Sequence, residues 1–250
     1  GLSNAKVIIS GAAAMQVAQR NWFRKIGVNI TIGYGMTENC AITTQIPGSN
    51  FNKPGSVGTV QPNVEIKIDK ETEEVLMRGP YVMVGYYNDI ETTNKTIKNG
   101  WLHTGDKGKI DADGHLYITG RVKDTFKTSK GEFIDPAKIE AKFGEVEYFG
   151  QMCIVGLGVP QPIMLVNISD LGKKLERVEL IDRLENKLES VNSTLFNYLR
   201  ISTIVICKDE WTPQNEILTP TMKIKRGNVD KMYMSKYNEW CHSNDKVIWE

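Results

Sequence analysis

Four cysteines in 250 residues, Cys40, Cys153, Cys207 and Cys241, are too few and too scattered to staple a small fold or to form the close pairs of a zinc site. A reducing, cytoplasmic setting is the resulting expectation. Histidine is scarcer still: His103, His115 and His242 stand apart in polar surroundings, so no metal or acid–base role is assigned to them. No apolar run approaches the roughly 18 residues of a membrane span, and the apolar part of the opening stretch through Val7-Ile8-Ile9 is too short for a signal peptide. Neither sign of charge dominates. The 31 Lys+Arg against 30 Asp+Glu leave a formal +1, so no whole-chain field draws the protein to nucleic acid or to an anionic bilayer. Any anion site has to be local. Internal repeats and low-complexity tracts are absent, and so is an initiator methionine: the chain opens straight into an apolar strand and is expected to be a fragment.

What is present is an ordinary globular composition, 40% hydrophobic and 24% charged, in a length that allows one domain and a second, smaller one. Val7-Ile8-Ile9 reads as a buried strand, Met15 to Ile26 as a helix, and Asn29 to Ile32 as a second strand stopped by Gly33, the rhythm of an α/β layer. From Asn50 the rhythm changes. Short β runs at Val64 to Ile68, Val75 to Arg78, Lys107 to Ile110 and Leu116 to Thr119 alternate with turn signals such as Asp111-Ala112-Asp113-Gly114, which predicts a small antiparallel β unit. After Gly120 come a basic loop, a helix capped by Asp135 with Pro136 first, and strands at Met152 to Val155 and Met164 to Ser169. A longer helix from about Glu176 places Val178, Ile181, Leu184, Leu188, Val191 and Leu195 on one face. A last strand, Ser202 to Cys207, and a terminal helix from about Gly227 complete an α+β unit.

Three segments carry more than fold. In Gly33-Tyr34-Gly35-Met36-Thr37-Glu38, two glycines at a strand end let backbone approach a ligand, Tyr supplies a flat ring, and Thr and Glu supply a hydroxyl and a carboxylate. An ordinary tight turn with a solvated Glu38 reads the same way. In His103-Thr104-Gly105-Asp106, the Asp can accept hydrogen bonds from both hydroxyls of a ribose, or simply cap turn amides. The stretch Gly120-Arg121 through Glu132 holds four cations before Gly131 and falls where one unit passes to the next, so it combines anion affinity with the position of a hinge; a solvated linker looks similar. A further basic loop, Leu218-Thr219-Pro220-Thr221-Met222-Lys223-Ile224-Lys225-Arg226, also reads as the exposed lead-in to the last helix.

Taken in order, these motifs resemble the adenylate-forming superfamily of acyl-CoA synthetases, aryl-CoA ligases, luciferases and nonribosomal adenylation domains. Lys127-Thr128-Ser129-Lys130-Gly131 and Leu218 through Lys223 look most like the long-chain fatty acyl-CoA synthetases. The resemblance covers the end of the large N-terminal domain (residues 1–120: an α/β layer plus a small antiparallel β unit) and the whole small, mobile α+β domain (121–250), with the hinge near 121–124. It implies an ATP-dependent acid:CoA ligase that forms acyl-AMP and passes the acyl group to coenzyme A. The Ser/Thr/Gly-rich loop that cradles the triphosphate in this superfamily does not occur in these residues, so the 250 residues alone are expected to be inactive. Two alternatives stay open: a fatty acyl-AMP ligase or carrier-protein loading enzyme, and a non-catalytic nucleotide-binding or interaction fragment.

Position by position, the family pattern implies nucleotide contacts from Gly11, Ala12, Ala13, Gly33, Tyr34, Gly35 and Met36, with Tyr34 stacked on adenine. Thr37 would contact the α-phosphate, Glu38 would bind Mg²⁺, Asp106 would hold the ribose hydroxyls, and Arg121 would meet ribose or phosphate. Lys123 stands at the hinge position, Gly131 on the face that receives the pantetheine arm of coenzyme A, and Lys223 at the adenylating lysine. One departure is Glu216, where a Gly is common in the long-chain enzymes, so the approach to the lysine loop is expected to be stiffer. Lys127 matches a second functional lysine of some relatives, or is a solvated loop cation. Small-molecule substrates are the expected partners, nucleic acid is not, and peripheral membrane contact stays open for an enzyme of lipid substrates, although no amphipathic basic helix demands it.

Overall fold

The computed structural model of the protein describes residues 4–11, 15, 17–40, 43–44, 52–144 and 146–250. The chain divides into two compact units, Gly1–Val122 and Lys123–Glu250.

In the first unit, β1 (Ile8–Ser10) leads through helix α1 (Val17–Lys25) to β2 (Ile30–Tyr34), which pairs with β1 in parallel. The strand does not stop at Gly33. Gly33 and Tyr34 find antiparallel partners in β3 (Thr43–Thr44), so the backbone stays extended for two more residues. Then follow β4 (Gly58–Val60), β5 (Glu65–Ile68), β6 (Glu74–Arg78), α2 (Ile90–Thr96), β7 (Ile97–Lys98), β8 (Trp101–Ile110) and β9 (His115–Arg121). Asp89 starts α2 by accepting a hydrogen bond from the Thr92 amide at 2.9 Å. The sheet runs in the order β1-β2-β3-β4-β9-β8-β6-β5 with β7 on β8, nine strands among the described residues. The α/β layer and the antiparallel unit expected from the sequence therefore share one sheet. Its core is Val75 and Met77 of β6, Leu102 of β8 and Leu116 of β9, all fully buried.

One strand runs further than the sequence suggests. β8 begins at Trp101, not Lys107, and carries Thr104-Gly105-Asp106 inside it. The period-2 alternation that turns Leu102 inward also buries Thr104 and Asp106. A turn Asp would be wet; this one is 6% exposed.

The second unit starts with a short hairpin, β10 (Phe126–Lys127) and β11 (Phe133–Ile134), followed by α3 (Pro136–Phe143). Asp135 holds the cap position, yet its side chain makes no capping hydrogen bond; Lys138 lies 3.5 Å from its Oδ2. A sheet of β12 (Phe149–Val155), β13 (Ile163–Ile168), β14 (Ile204–Ile206) and β15 (Val247–Trp249) follows. β13 is antiparallel to β12 and parallel to β14. β15 adds a final parallel strand beyond the Ser202 to Cys207 run that looked like the last one. Each face carries helices. α4 (Arg177–Ser193) and α3 pack with Ile154, Met164, Val166 and Ile204 on one side, while α5 (Arg226–Tyr233) and α6 (Tyr237–Cys241) pack with Cys153, Leu165 and Val205 on the other. Covered on both faces, β13 is apolar from Ile163 through Val166 with no alternation, before Asn167 interrupts the run. On α4 the buried stripe is Leu180, Leu184, Leu188 and Val191; Val178 is 71% exposed, because the stripe begins at Leu180, two residues later than its spacing suggests.

Candidate functional site

The chemistry of the first unit gathers where β2 and β9 end, beside the middle of β8. Tyr34 is the last residue of β2, and its hydroxyl donates to Asp106 Oδ2 at 2.6 Å. Arg121, the last residue of β9 and the register partner of Asp106, places Nε 2.8 Å from Oδ1. One buried carboxylate is thus gripped from both sides. Burial, then the adjacent Asp106 charge, raises the Tyr34 phenol far above its ordinary range, so it remains a donor at any physiological pH. Gly11 stands against this strand end: a Cβ there would lie 3.3 Å from the Gly33 carbonyl oxygen. Ala12 and Ala13 lie outside the described residues.

Beyond Tyr34 the chain passes through Gly35 and Met36 into a single 3₁₀ turn, Thr37–Asn39. The buried Asn39 side chain holds this turn, accepting from the Met36 amide at 2.9 Å and reaching Met77 Sδ at 3.2 Å. Glu38 Oε1 accepts the Tyr86 hydroxyl at 2.7 Å, and that bond, with burial second, raises the Tyr86 phenol above its usual value. Tyr86, in Val84-Gly85-Tyr86-Tyr87, went unread in the sequence; its only signal was an aromatic pair beside a glycine.

The remaining candidates belong to the second unit. Lys123 is its first residue. Gly131 adopts φ +89 in the turn that Thr128 closes on both sides, through its carbonyl to Gly131 N and its hydroxyl to Glu132 N. Lys223 lies on an exposed tip. Leu218 and Ile224 bridge at the base, Thr219 N donates to Lys223 O at 2.8 Å, and Thr219 Oγ1 accepts from Lys223 N at 3.0 Å. Lys127 is exposed, with Nζ 5.3 Å from the Phe133 ring centre.

The lead-in to α5 is not the wholly exposed basic segment it resembles in sequence. Arg226 at its head is half-buried, with Nη2 donating to both Glu140 oxygens at 2.7 and 2.6 Å, Nε to Asp124 at 3.0 Å and Nη1 to the Ile154 carbonyl at 3.0 Å. The lysine loop, the residue after Lys123 and helix α3 thereby converge on one guanidinium, whose planar fork suits several oxygens at once. A chain-wide charge count cannot reveal such a pair, since it joins residues 86 apart.

No helix among the described residues is long and apolar enough to cross a membrane. The two halves of the chain match a known family: AMP-binding enzyme over residues 1–87, and AMP-binding enzyme C-terminal domain over 123–243. A long-chain-fatty-acid CoA ligase of Saccharomyces cerevisiae is 30% identical across 90% of the chain and 37% of its own length. A chloroplastic long-chain fatty acid acyl-carrier-protein ligase of Arabidopsis thaliana is 31% identical across 94% of the chain and 35% of its own length. The chain therefore spans little more than a third of these relatives. Among solved structures, the adenylation domain of a carboxylate reductase from Mycobacterium chelonae superposes with a TM-score of 0.76 at 22% identity, covering 91% of the chain and 37% of that domain's chain. At that identity the likeness is one of fold.

Proposed function

The chain belongs to the AMP-binding, adenylate-forming enzyme superfamily, and from that premise we propose that it is part of an ATP-dependent ligase that converts a fatty acid to acyl-AMP and then to acyl-CoA. The observation that carries the reading is the Tyr34, Asp106 and Arg121 cluster: a buried carboxylate beside an aromatic ring and a guanidinium, the set a ribose, a base and a phosphate ask for.

In this reading Tyr34 stacks on adenine, Gly33, Gly35 and Met36 line it, and Asp106 accepts the ribose hydroxyls. Thr37 meets the α-phosphate. Glu38 keeps one carboxylate oxygen that carries no hydrogen bond among the described residues, a hard donor one residue along the chain from Thr37, and Glu38 would hold the magnesium ion through it. Bound there, the ion would supply charge neutralisation for the departing pyrophosphate. Attack of a carboxylate on the α-phosphorus forces two anions together, so the protein's task is positioning and charge compensation. Lys223 serves that step: a cation about 4 Å from developing negative charge is worth on the order of 4 kcal/mol at an effective dielectric near 20, before desolvation. Thiol attack on the adenylate then needs that lysine withdrawn and the open backbone around Gly131 presented to the pantetheine arm, with Lys123 as the pivot. The triphosphate-cradling loop of the family is not among the 250 residues, so they are proposed not to complete the adenylation alone.

A carrier-protein acceptor is the second reading, favoured by the acyl-carrier-protein ligase at 31% identity. With the whole protein, a fatty acid, ATP and magnesium, we expect fatty-acid-dependent release of pyrophosphate and AMP, and free acyl-CoA on adding coenzyme A. Acyl transfer to a carrier protein alone would select the second reading, and no fatty-acid-dependent pyrophosphate release would reject both.

A further inference from the structure

Asp106 reaches Tyr34 and Arg121 only because β8 carries two surplus residues immediately before it. Leu76 of β6 faces His103 and Glu74 faces Lys107, so Val75 alone opposes Thr104, Gly105 and Asp106. Such a bulge breaks the hydrogen-bond ladder and leaves backbone groups to be satisfied by other means. Thr104 Oγ1 donates to the Val75 carbonyl at 2.7 Å and accepts from the Asp106 amide at 3.1 Å. Gly105 turns to φ +71, and its amide donates to Glu74 Oε1 at 2.8 Å. The other Glu74 oxygen lies 2.8 Å from His103 Nδ1. One carboxylate, its side chain 13% exposed, thus clamps the residue on either side of Thr104.

We propose that Glu74 is a positioning residue for ribose recognition: by holding the Gly105 amide and the His103 ring, it fixes the bulge that aims Asp106 at the sugar hydroxyls. The inference rests on the reading of Asp106 as the ribose acceptor. Glu74 itself touches no part of the nucleotide. Its effect is geometric, since a group misplaced by about 1 Å loses most of a directional hydrogen bond.

The test compares calorimetric affinities for AMP, 2′-deoxy-AMP and 3′-deoxy-AMP in the 250-residue chain and its variants, alongside hydrogen exchange at the Gly105 amide. The unmodified chain is expected to prefer AMP over each deoxy analogue by roughly tenfold or more, the size of a hydrogen bond to a charged group. Glu74→Ala should bring that ratio toward unity while leaving the deoxy affinities within about twofold, and should speed Gly105 exchange. Glu74→Gln retains an acceptor for Gly105 and should keep most of the ratio. Glu74→Asp keeps the charge but loses the reach and should lose the ratio, so this pair carries the test even where Glu74→Ala fails to fold. An unchanged ratio in Glu74→Ala or Glu74→Asp, with Gly105 exchange accelerated, overturns the inference and leaves Glu74 a structural clamp. A chain that does not distinguish AMP from its deoxy analogues, or whose Asp106→Asn variant keeps the distinction, overturns the ribose reading instead.

Discussion

Glu216 shows how a single departure from family habit becomes a physical statement. It sits exposed at φ +61, in the left-handed region where a side chain costs about 1–2 kcal/mol and glycine costs nothing sterically. Glu216→Gly should therefore stabilise the protein by up to about 1 kcal/mol once the greater freedom of glycine in the unfolded chain is set against the relief. Chemical denaturation reads this directly, and a loss of stability would contradict it. Cys207 supplies a second residue-level expectation. Burial pushes its thiol up to about 12, against about 8.5 in an unfolded chain. A raised folded value stabilises fully below the unfolded one and fades as pH climbs toward the folded one. The unfolding midpoint of the protein should thus fall between about pH 8.5 and 12, and less steeply in Cys207→Ala. Equal slopes in the two proteins would remove Cys207 from the account. The residues themselves were easy to read: Tyr34, Asp106 and Arg121 were named from sequence and stand together. Their partners were not. Glu74, Tyr86 and Arg226 act through contacts 31, 48 and 86 residues away, and no local spacing records such distances.

At the level of elements, apolar spacing located most helices and strands, and it failed where tertiary pairing took over. β2 outran Gly33 because β3 was there to pair with it, and β8 absorbed a motif that looked like a turn because a bulge let Thr104-Gly105-Asp106 remain in the sheet. β15 is three residues long and sits at the chain's end, too short for its alternation to register. Helix α4 gives the clearest energetic contrast. Leu184 is fully buried in the core cluster that also holds residues of α3 and the sheet, so Leu184→Ala should cost about 2–5 kcal/mol. Val178, one of the positions its spacing assigned to the buried face, is 71% exposed, and Val178→Ala should stay within about 0.5 kcal/mol. Thermal or denaturant unfolding of the two variants separates them; similar losses would mean that the helix packs on the face its spacing suggested.

The whole molecule divides its tasks between two units. The first, ending at Val122, holds an aromatic ring, a buried carboxylate and an arginine in one cluster. The second, beginning at Lys123, holds an exposed lysine on a tight loop and a guanidinium that ties this loop to the segment just past the junction. The proposed ligase, adenylating with one set of groups and transferring with another, would need this separation, because the lysine that favours the first anion crowding would have no task in the second. Under the proposed function Lys223 acts in one half-reaction only. The direct measurement uses the whole enzyme with Lys223→Ala and follows each half separately. Acyl-AMP formation should fall by about 10²–10³, the cost of losing an electrostatic stabiliser, while thioester formation from supplied acyl-AMP stays near its original rate. Equal losses in the two halves would contradict the account.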